Sequence, residues 1–294
     1  MKLYAEKTIK ELNSRHGFRT SKSLGQNFLT DKNIIDKIIE ESFIEENDLV
    51  IEIGPGMGVL TMEAAKYARK VIAVEIDAGL LPILDHTLSG YDNIEIINAD
   101  ILKTNLREII DNAKEKDNGI KGVKIIGNLP YYITTPIIMK ILEENTPAES
   151  ITIMMQKEVA DRIKAQPGGK TYGALSVAVQ YYCRVYQVAS VPKDVFVPQP
   201  KVDSSVLRLE LRDEKPVDLL DEKMFFICIR AGFSARRKTF LNCMTGLGGM
   251  TKEEIRDMLN EVGIDPARRA ETLTIEEFAT VANHMKRGID QCQN

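Results

Sequence analysis

One stretch of the chain carries groups that could hold an aromatic amine. Residues 128–132 read Asn-Leu-Pro-Tyr-Tyr and follow directly on an apolar run. Pro130 disfavours the helical conformation at Leu129, so the Leu129 carbonyl can accept a hydrogen bond beside the side-chain oxygen of Asn128. The ring of Tyr131 can stack on a base. Two acceptors and one ring suit the N6 amine of adenine; an ordinary Asn-Pro turn with core tyrosines is the alternative interpretation.

A glycine-rich turn follows the apolar run 49–53. Gly54, Gly56 and Gly58 occupy alternate positions and a helical pattern begins at Val59, which together predict strand, tight turn and helix. Glycine tolerates positive φ, and the N–H groups that open a helix can face a ligand. A dinucleotide-binding fingerprint would have glycine at position 59. The valine there favours a nucleoside cofactor without a pyrophosphate, such as S-adenosylmethionine.

Acidic residues end the next two predicted strands. Glu75 ends the strand 71–75, about where a second strand delivers a carboxylate to ribose hydroxyls. Asp100 follows the strand 94–97 at the same predicted edge and suits the amino group of adenine. Either acid alone is typical of a solvated strand end, but their occurrence at successive strand ends favours a nucleoside site.

These residues require a sheet whose strand ends meet at one edge. Alternating strand and helix patterns predict a parallel, doubly wound, Rossmann-like α/β sheet. Its seven predicted strands are 49–53, 71–75, 94–97, 123–127, 151–155, 184–191 and 205–211. A charged, proline-containing stretch at 213–216 predicts a boundary, so we expect the sheet domain, with a basic N-terminal arm, at 1–212. We expect a small all-α domain at 213–294, with helices at 222–232, 236–243, 251–261 and 274–287.

Charge is unevenly distributed along the chain. The net charge of −4 by itself argues against a nucleic-acid partner, but residues 1–30 carry six Lys or Arg against two Glu. A second basic cluster consists of Arg230, Arg236, Arg237 and Lys238. Clustered basic groups are typical of phosphate-contacting surfaces. We therefore predict RNA binding at this cluster, with a solvated helix face as the alternative.

Composition and cysteine spacing bear on the compartment. The 294 residues are 44% hydrophobic and 28% charged, as in ordinary globular proteins. Four cysteines lie far apart and form no C-x-x-C pair: Cys183, Cys228, Cys243 and Cys292. This spacing predicts reduced thiols in a cytosolic protein, without a disulfide framework or metal site. Because no run of about 18 apolar residues occurs, we expect no membrane span.

The combined motifs resemble one family, the ribosomal RNA adenine-N6 dimethyltransferases, and most closely its bacterial small-subunit (16S) branch. The segments that carry the resemblance are 25–29, 52–61, 74–77, 128–131, 196–204, 230–239 and 269–273. The resemblance covers nearly the whole chain and implies a class I methyltransferase domain followed by a helical RNA-binding domain. It implies that methyl groups are transferred from S-adenosylmethionine to adjacent adenosines during small-subunit maturation. We expect the protein to be a cytoplasmic monomer that needs no metal.

The resemblance also implies roles for individual residues. The implied cofactor contacts are Gln26, Asn27, Leu29, Gly54, Gly56, Glu75, Ile76, Asp100, Ile101 and Asn128. In the implied catalytic set, Asn128 and Leu129 face the target amine, while Tyr131 and Phe196 flank the base. The basic cluster around Arg236 is implied to bind RNA.

Parts of the sequence are compatible with three other functions. A large-subunit rRNA adenine methyltransferase of the antibiotic-resistance type would share the motifs of the sheet domain. A nicotinamide dehydrogenase is disfavoured by Val59 and by the lack of an evident hydride-transfer acid or base among His16, His86 and His284. A non-catalytic RNA-docking assembly factor would use the basic arm and the helical tail alone.

Overall fold

The computed structural model describes residues 2–21 and 24–292, and the side chains of those up to residue 288. Lys22 of the predicted basic arm and the thiol of Cys292 therefore lie outside what is described. The chain forms two compact units, one of residues 1–160 and 184–211 and the other of residues 161–183 and 212–294. Within the described ranges, no helix is both long and apolar enough to cross a bilayer.

A seven-stranded mixed sheet forms the centre of the first unit. The strands along the chain are β1 Phe28–Leu29, β2 Leu49–Ile53, β3 Lys70–Glu75, β4 Ile94–Asn98, β5 Val123–Asn128, β6 Ser150–Gln156, β7 Cys183–Val191, β8 Phe196–Val197 and β9 Ser204–Leu211. Seven of them form one sheet in the order β4-β3-β2-β5-β6-β9-β7, and β1 pairs with β8 separately. All seven predicted strands are confirmed. The strands from β4 to β6 in this order are parallel, whereas β9 is antiparallel to β6.

Burial and register explain how the sheet positions its edge. All five residues of β2 are buried, as expected of a parallel strand covered on both faces. The register pairs Ile53 with Val74 and Glu75 with Asn98, so neighbouring strands end at a similar level. Because β5 pairs with β2 in parallel, Asn128 reaches the same edge as the glycine turn.

Helices connect these strands and build most of the second unit. Along the chain they are α1 Glu6–Arg15, α2 Lys32–Glu41, α3 Val59–Ala64, α4 Leu81–Leu88, α5 Leu106–Lys116, α6 Thr134–Glu143, α7 Lys157–Lys164, α8 Ala174–Tyr182, α9 Glu222–Gly232, α10 Phe240–Met244, α11 Lys252–Glu261 and α12 Ile275–Cys292. Pro82 lies in the first turn of α4, where a missing N–H costs least.

One predicted helix begins later than expected. The sequence predicted a helix from residue 236, but α10 begins at Phe240. The hydroxyl of Thr239 accepts a hydrogen bond from the amide of Asn242 and caps the helix there, as Thr commonly does. Residues 236–238 therefore lie in a turn before α10 and not on a helix face.

Aromatic packing defines the core of the second unit. Phe225, Phe240 and Phe278 are fully buried, and the rings of Phe240 and Phe278 meet edge to face at 5.6 Å. Residues 161–183, which the sequence-based division placed in the first domain, belong to this unit. The ring of Tyr181 lies 5.1 Å from that of Phe225, so an apolar contact distant in sequence groups α8 with the C-terminal helices.

Candidate active site

The turn between β2 and α3 has the backbone conformation that its glycines predict. Gly54, Gly56 and Gly58 have φ values of +69°, +59° and +84°, a region that other residues rarely adopt. A Cβ on Gly56 would lie 3.1 Å from the ring of Phe28. A Cβ on Gly54 would meet no atom within 4 Å, so the space beside this glycine is open.

A cavity of about 1110 Å³, including its solvent-filled opening, lies in the first unit at this edge of the sheet. With its opening included, this volume is slightly above the range of about 300–1,000 Å³ that is usual for small-molecule sites. The structure brings together all of the predicted cofactor-contacting residues and three of the four predicted catalytic residues. Those lining the cavity are Gln26, Asn27, Leu29, Gly54, Gly56, Glu75, Ile76, Asp100, Ile101, Asn128, Leu129 and Tyr131.

Glu75 presents a nearly buried carboxylate to the cavity. Its two oxygens accept hydrogen bonds from the backbone N–H groups of Asp77 at 2.8 Å and Gly56 at 3.3 Å. Burial raises the pKa of Glu75 above its ordinary value, and these backbone donors oppose the shift. A carboxylate has about four acceptor positions, so hydrogen-bonding capacity remains for two hydroxyl groups.

Asp100 lies in the loop that follows β4. Its Oδ1 accepts the N–H of Leu102 at 3.0 Å, and its Oδ2 lies 3.8 Å from the ammonium of Lys103. Ile76 is 49% exposed and Ile101 is 7% exposed. The cavity wall therefore combines a fixed acid with apolar surface, which suits a purine.

The side chain of Asn128 has a defined orientation. Its Nδ2 donates to the backbone carbonyl of Asn27 at 2.9 Å. Because a carbonyl can only accept, the amide nitrogen must face Asn27, and Oδ1 remains as an acceptor. Among the described residues, no hydrogen bond reaches the Leu129 carbonyl. Two neighbouring acceptors are thus available at the cavity.

The two predicted aromatic residues differ in position. Tyr131 lines the cavity, and its hydroxyl lies 2.7 Å from Oγ of Ser204. Burial raises the pKa of Tyr131, so its hydroxyl stays protonated near neutral pH. Phe196 is 3% exposed and packs in an apolar core cluster with Leu29. Its ring does not line the cavity, although its backbone pairs with Leu29 across β1 and β8.

Two acidic residues that were assigned no role also belong to this region. Glu52 lines the cavity and is 1% exposed; burial raises its pKa to about 8. A single acid inside the apolar run 49–53 was the available sequence signal. Asp77 accepts a hydrogen bond from Nε2 of Gln26 at 2.6 Å, a contact between segments 51 residues apart.

No group of three or more His, Cys, Asp or Glu in the described part of the chain could hold a metal.

The predicted RNA-binding residues lie in the second unit. Arg230 is exposed near the end of α9, and Arg236, Arg237 and Lys238 are exposed in the turn before α10. Arg236 donates a hydrogen bond of 2.7 Å to the carbonyl of Lys170. Arg236 therefore has a contact within the unit that was not foreseen from the sequence.

The strand order, the glycine turn after β2 and the acid at the end of β3 define the class I methyltransferase fold. Residues 17–287 match the family model of ribosomal RNA adenine dimethylases. The chain belongs to this family, as its motifs predicted.

Individual relatives agree with this assignment. The chain is 52% identical to the ribosomal RNA small subunit methyltransferase A of Clostridioides difficile (strain 630), over 96% of each chain. It is 50% identical to the protein of the same name from Alkaliphilus oremlandii (strain OhILAs), over 97% of this chain and 98% of the relative.

Two solved structures are also similar. A dimethyladenosine transferase from Plasmodium falciparum superposes with a TM-score of 0.75 at 26% identity, covering 88% of this chain and 98% of that one. The 23S rRNA methyltransferase ErmE gives a TM-score of 0.67 at 25% identity, covering 88% and 99%.

Proposed function

We propose that this chain transfers methyl groups from S-adenosylmethionine to N6 of adjacent adenosines in small-subunit (16S) ribosomal RNA, giving N6,N6-dimethyladenosine during small-subunit maturation. The observation that carries the proposal is the orientation of Asn128. With its Nδ2 held by Asn27, its Oδ1 and the Leu129 carbonyl form a pair of acceptors for the two N–H groups of an adenine amine. The names of the relatives at about 50% identity support the small-subunit substrate.

The cavity residues fit the cofactor. Glu75 has acceptor capacity for ribose hydroxyls, Asp100 can accept from the adenine amino group, and the open space at Gly54 allows close backbone approach. In our proposal Ile76 and Ile101 contact the adenine faces, while Asn27, Leu29 and Gly56 complete the wall. When bound, S-adenosylmethionine supplies a methyl group that is already electrophilic on a sulfonium.

The protein's contribution to the reaction is positioning and hydrogen bonding. An aromatic amine is a poor nucleophile because its lone pair is delocalised into the ring, and acceptors on its N–H groups favour a more tetrahedral nitrogen. Alignment of reacting atoms can supply up to ~7–11 kcal/mol. Stacking on Tyr131 offsets part of the few kcal/mol needed to unstack the target base. A monomethylated amine keeps one N–H, so the same acceptors serve a second transfer. Stacking by Phe196 stays a prediction.

The remaining parts of the proposal concern RNA, assembly and compartment. Arg230, Arg237 and Lys238 would contact RNA phosphates, with the helical second unit as the RNA-binding domain. We also propose that the chain acts as a monomer. Small subunits in the course of assembly would be the substrate, and we propose that the protein acts in the cytoplasm.

Methylation of isolated subunits tests this function. The purified chain and S-adenosylmethionine are incubated with small subunits that lack the modification and, separately, with large subunits. We expect N6,N6-dimethyladenosine, identified by mass spectrometry, in 16S RNA alone. Product in 23S RNA would favour the antibiotic-resistance activity. If calorimetry detects binding of NAD but not of S-adenosylmethionine, the protein is a dehydrogenase. If the protein binds RNA but neither cofactor, it is a docking factor.

A further inference from the structure

A short segment before α2 forms one wall of the cavity. All six residues from 24 to 29, which we call the cavity strap, line the cavity. The ring of Phe28 covers Gly56 closely enough that a Cβ there would lie 3.1 Å from it. The strap is therefore part of the wall that a cofactor would touch, and its attachment to the rest of the first unit decides how well that wall is formed.

The C-terminal half of the strap is attached through backbone pairing. Leu29 pairs with Phe196 across β1 and β8. Directly after the strap, the N–H of Thr30 donates to the carbonyl of Val195 at 2.9 Å. The Asn27 carbonyl accepts from Asn128. This half is thus held by main-chain hydrogen bonds and by the amide that faces the reaction site.

In the N-terminal half, the side chain of Gln26 makes two hydrogen bonds. Its Nε2 donates to Oδ2 of Asp77 at 2.6 Å, and its Oε1 accepts the N–H of Ser21 at 2.7 Å. Both ends of this amide are therefore used inside the protein. This pattern indicates that Gln26, although it lines the cavity, serves chiefly to hold the strap.

Asp77 connects the strap to the cofactor-facing acid. Its Oδ1 accepts the N–H of Gly79 at 2.9 Å, which fixes the carboxylate in place, and its own N–H donates to Oε1 of Glu75 at 2.8 Å. Asp77 does not itself line the cavity. One residue thus holds the Gln26 side chain with its carboxylate and the Glu75 carboxylate with its backbone.

We propose that Asp77 is a positioning residue, whose hydrogen bond with Gln26 holds the N-terminal half of the cavity strap beside the ribose-binding carboxylate of Glu75. The inference rests on the proposed function in taking S-adenosylmethionine as the ligand. The bond joins a neutral donor to a charged acceptor, which makes it stronger than a bond between neutral groups. Its loss frees the strap near Gln26 and leaves the β1–β8 attachment intact.

Exchanging donor and acceptor tests the bond itself. Gln26→Glu places two carboxylates against each other, and Asp77→Asn places two amide donors against each other. In the double variant, the asparagine can donate to the glutamate, which still accepts from Ser21. We expect each single variant to bind S-adenosylmethionine about tenfold more weakly, and the double variant to recover most of the affinity, as measured by calorimetry.

Amide hydrogen exchange without cofactor supplies a second readout. In both single variants, exchange at Ser21 should accelerate while Thr30 stays protected, and the double variant should restore protection at Ser21. Asp221→Ala is the matched control, because Asp221 accepts the N–H two residues ahead at 2.8 Å, as Asp77 does, at the start of α9 in the second unit. This control should change neither cofactor affinity nor Ser21 exchange.

Three outcomes separate the proposals. Single variants with wild-type affinity and unchanged Ser21 exchange would overturn the role of Asp77. A double variant no better than the singles would also overturn it, because the effect would then not depend on this bond. A wild-type chain that binds no S-adenosylmethionine would instead overturn the proposed function, and the exchange pattern would still decide whether Asp77 holds the strap.

Discussion

In our proposal, the ring of Tyr131 stacks on the target base, and its hydroxyl takes no part in the proton chemistry. The hydroxyl bonds with Ser204, and burial moves its pKa further above the ordinary value of 10, so it is a poor base at neutral pH. Tyr131→Phe should therefore keep most of the activity, whereas Tyr131→Ala should lose ~1–3 kcal/mol of base binding. Single-turnover methylation across RNA concentrations measures both effects. Abolished activity in the Phe variant would mean that the hydroxyl is essential.

Asn128 should affect the chemical step more than binding. If its Oδ1 acts as one preorganised polar group at the target amine, Asn128→Ala should lower the single-turnover rate by about 10²–10³ at saturating cofactor and RNA. The substitution also removes the bond to Asn27. Calorimetry with S-adenosylmethionine separates that effect on the strap from the effect on the rate. Near-normal turnover would contradict the assigned role.

Glu75 should determine cofactor affinity. Glu75→Ala removes the proposed acceptor for the ribose hydroxyls and also leaves the N–H groups of Asp77 and Gly56 without their carboxylate. Charge-assisted hydrogen bonds are worth about 1.5–3 kcal/mol, so we expect at least tenfold weaker binding of S-adenosylmethionine by calorimetry. An unchanged dissociation constant would place the ribose elsewhere.

At the level of the elements, a buried acid links β2 to α3. The Thr61 hydroxyl donates to Glu52. Burial is the main cause that raises the pKa of Glu52 from 4.5 to about 8; the bond with Thr61 opposes the shift, and the charge of Glu75 adds to it. The folded state thus binds a proton that the unfolded chain releases near pH 4.5. The free energy of unfolding should therefore fall as pH rises from about 4.5 to about 8.

Replacing the acid tests this pH dependence. Glu52→Gln is uncharged throughout and keeps an oxygen that Thr61 can reach, so it should remove a slope of up to ~1.4 kcal/mol per pH unit. Urea unfolding at several pH values in this window measures the slope. Glu40→Gln, an exposed site on α2, is the control and should leave the slope unchanged. Parallel slopes in Glu52→Gln and wild type would show that Glu52 is ionised in the folded protein.

Local sequence patterns predicted the long strands and helices. The shortest strands and some contacts at the site depend instead on residues that are distant in sequence. The apolar run 49–53 gave β2 because buried parallel strands need no alternation. The two residues of β1 show no periodicity, and they form a strand only by pairing with Phe196 and Val197. At the site, the spacing of glycines and strand-end acids predicted the cavity wall. The hydrogen bond between Gln26 and Asp77 could not be predicted from the sequence, because the two residues are 51 positions apart and no local pattern connects them.

At the scale of the molecule, the chain combines an acidic net charge with local basic surfaces. The net charge of −4 would weaken binding to RNA if charge were evenly distributed. The turn before α10 instead presents Arg237 and Lys238 to solvent, where they are available to phosphates. Arg236 is less suitable for a test because its bond to Lys170 stabilises the turn, and its loss would mix folding with binding.

RNA binding should therefore depend on Arg237 and Lys238 in a salt-sensitive way. Arg237→Gln combined with Lys238→Gln removes two positive charges without breaking the Arg236 contact. Each lost phosphate contact should reduce the slope of log K against log salt by ~0.7–0.9, while affinity for S-adenosylmethionine stays the same. Lys252→Gln combined with Arg256→Gln makes the same charge change at exposed positions on α11. If both pairs weaken binding to small subunits equally, only net charge matters; if neither does, the basic cluster is a solvated surface.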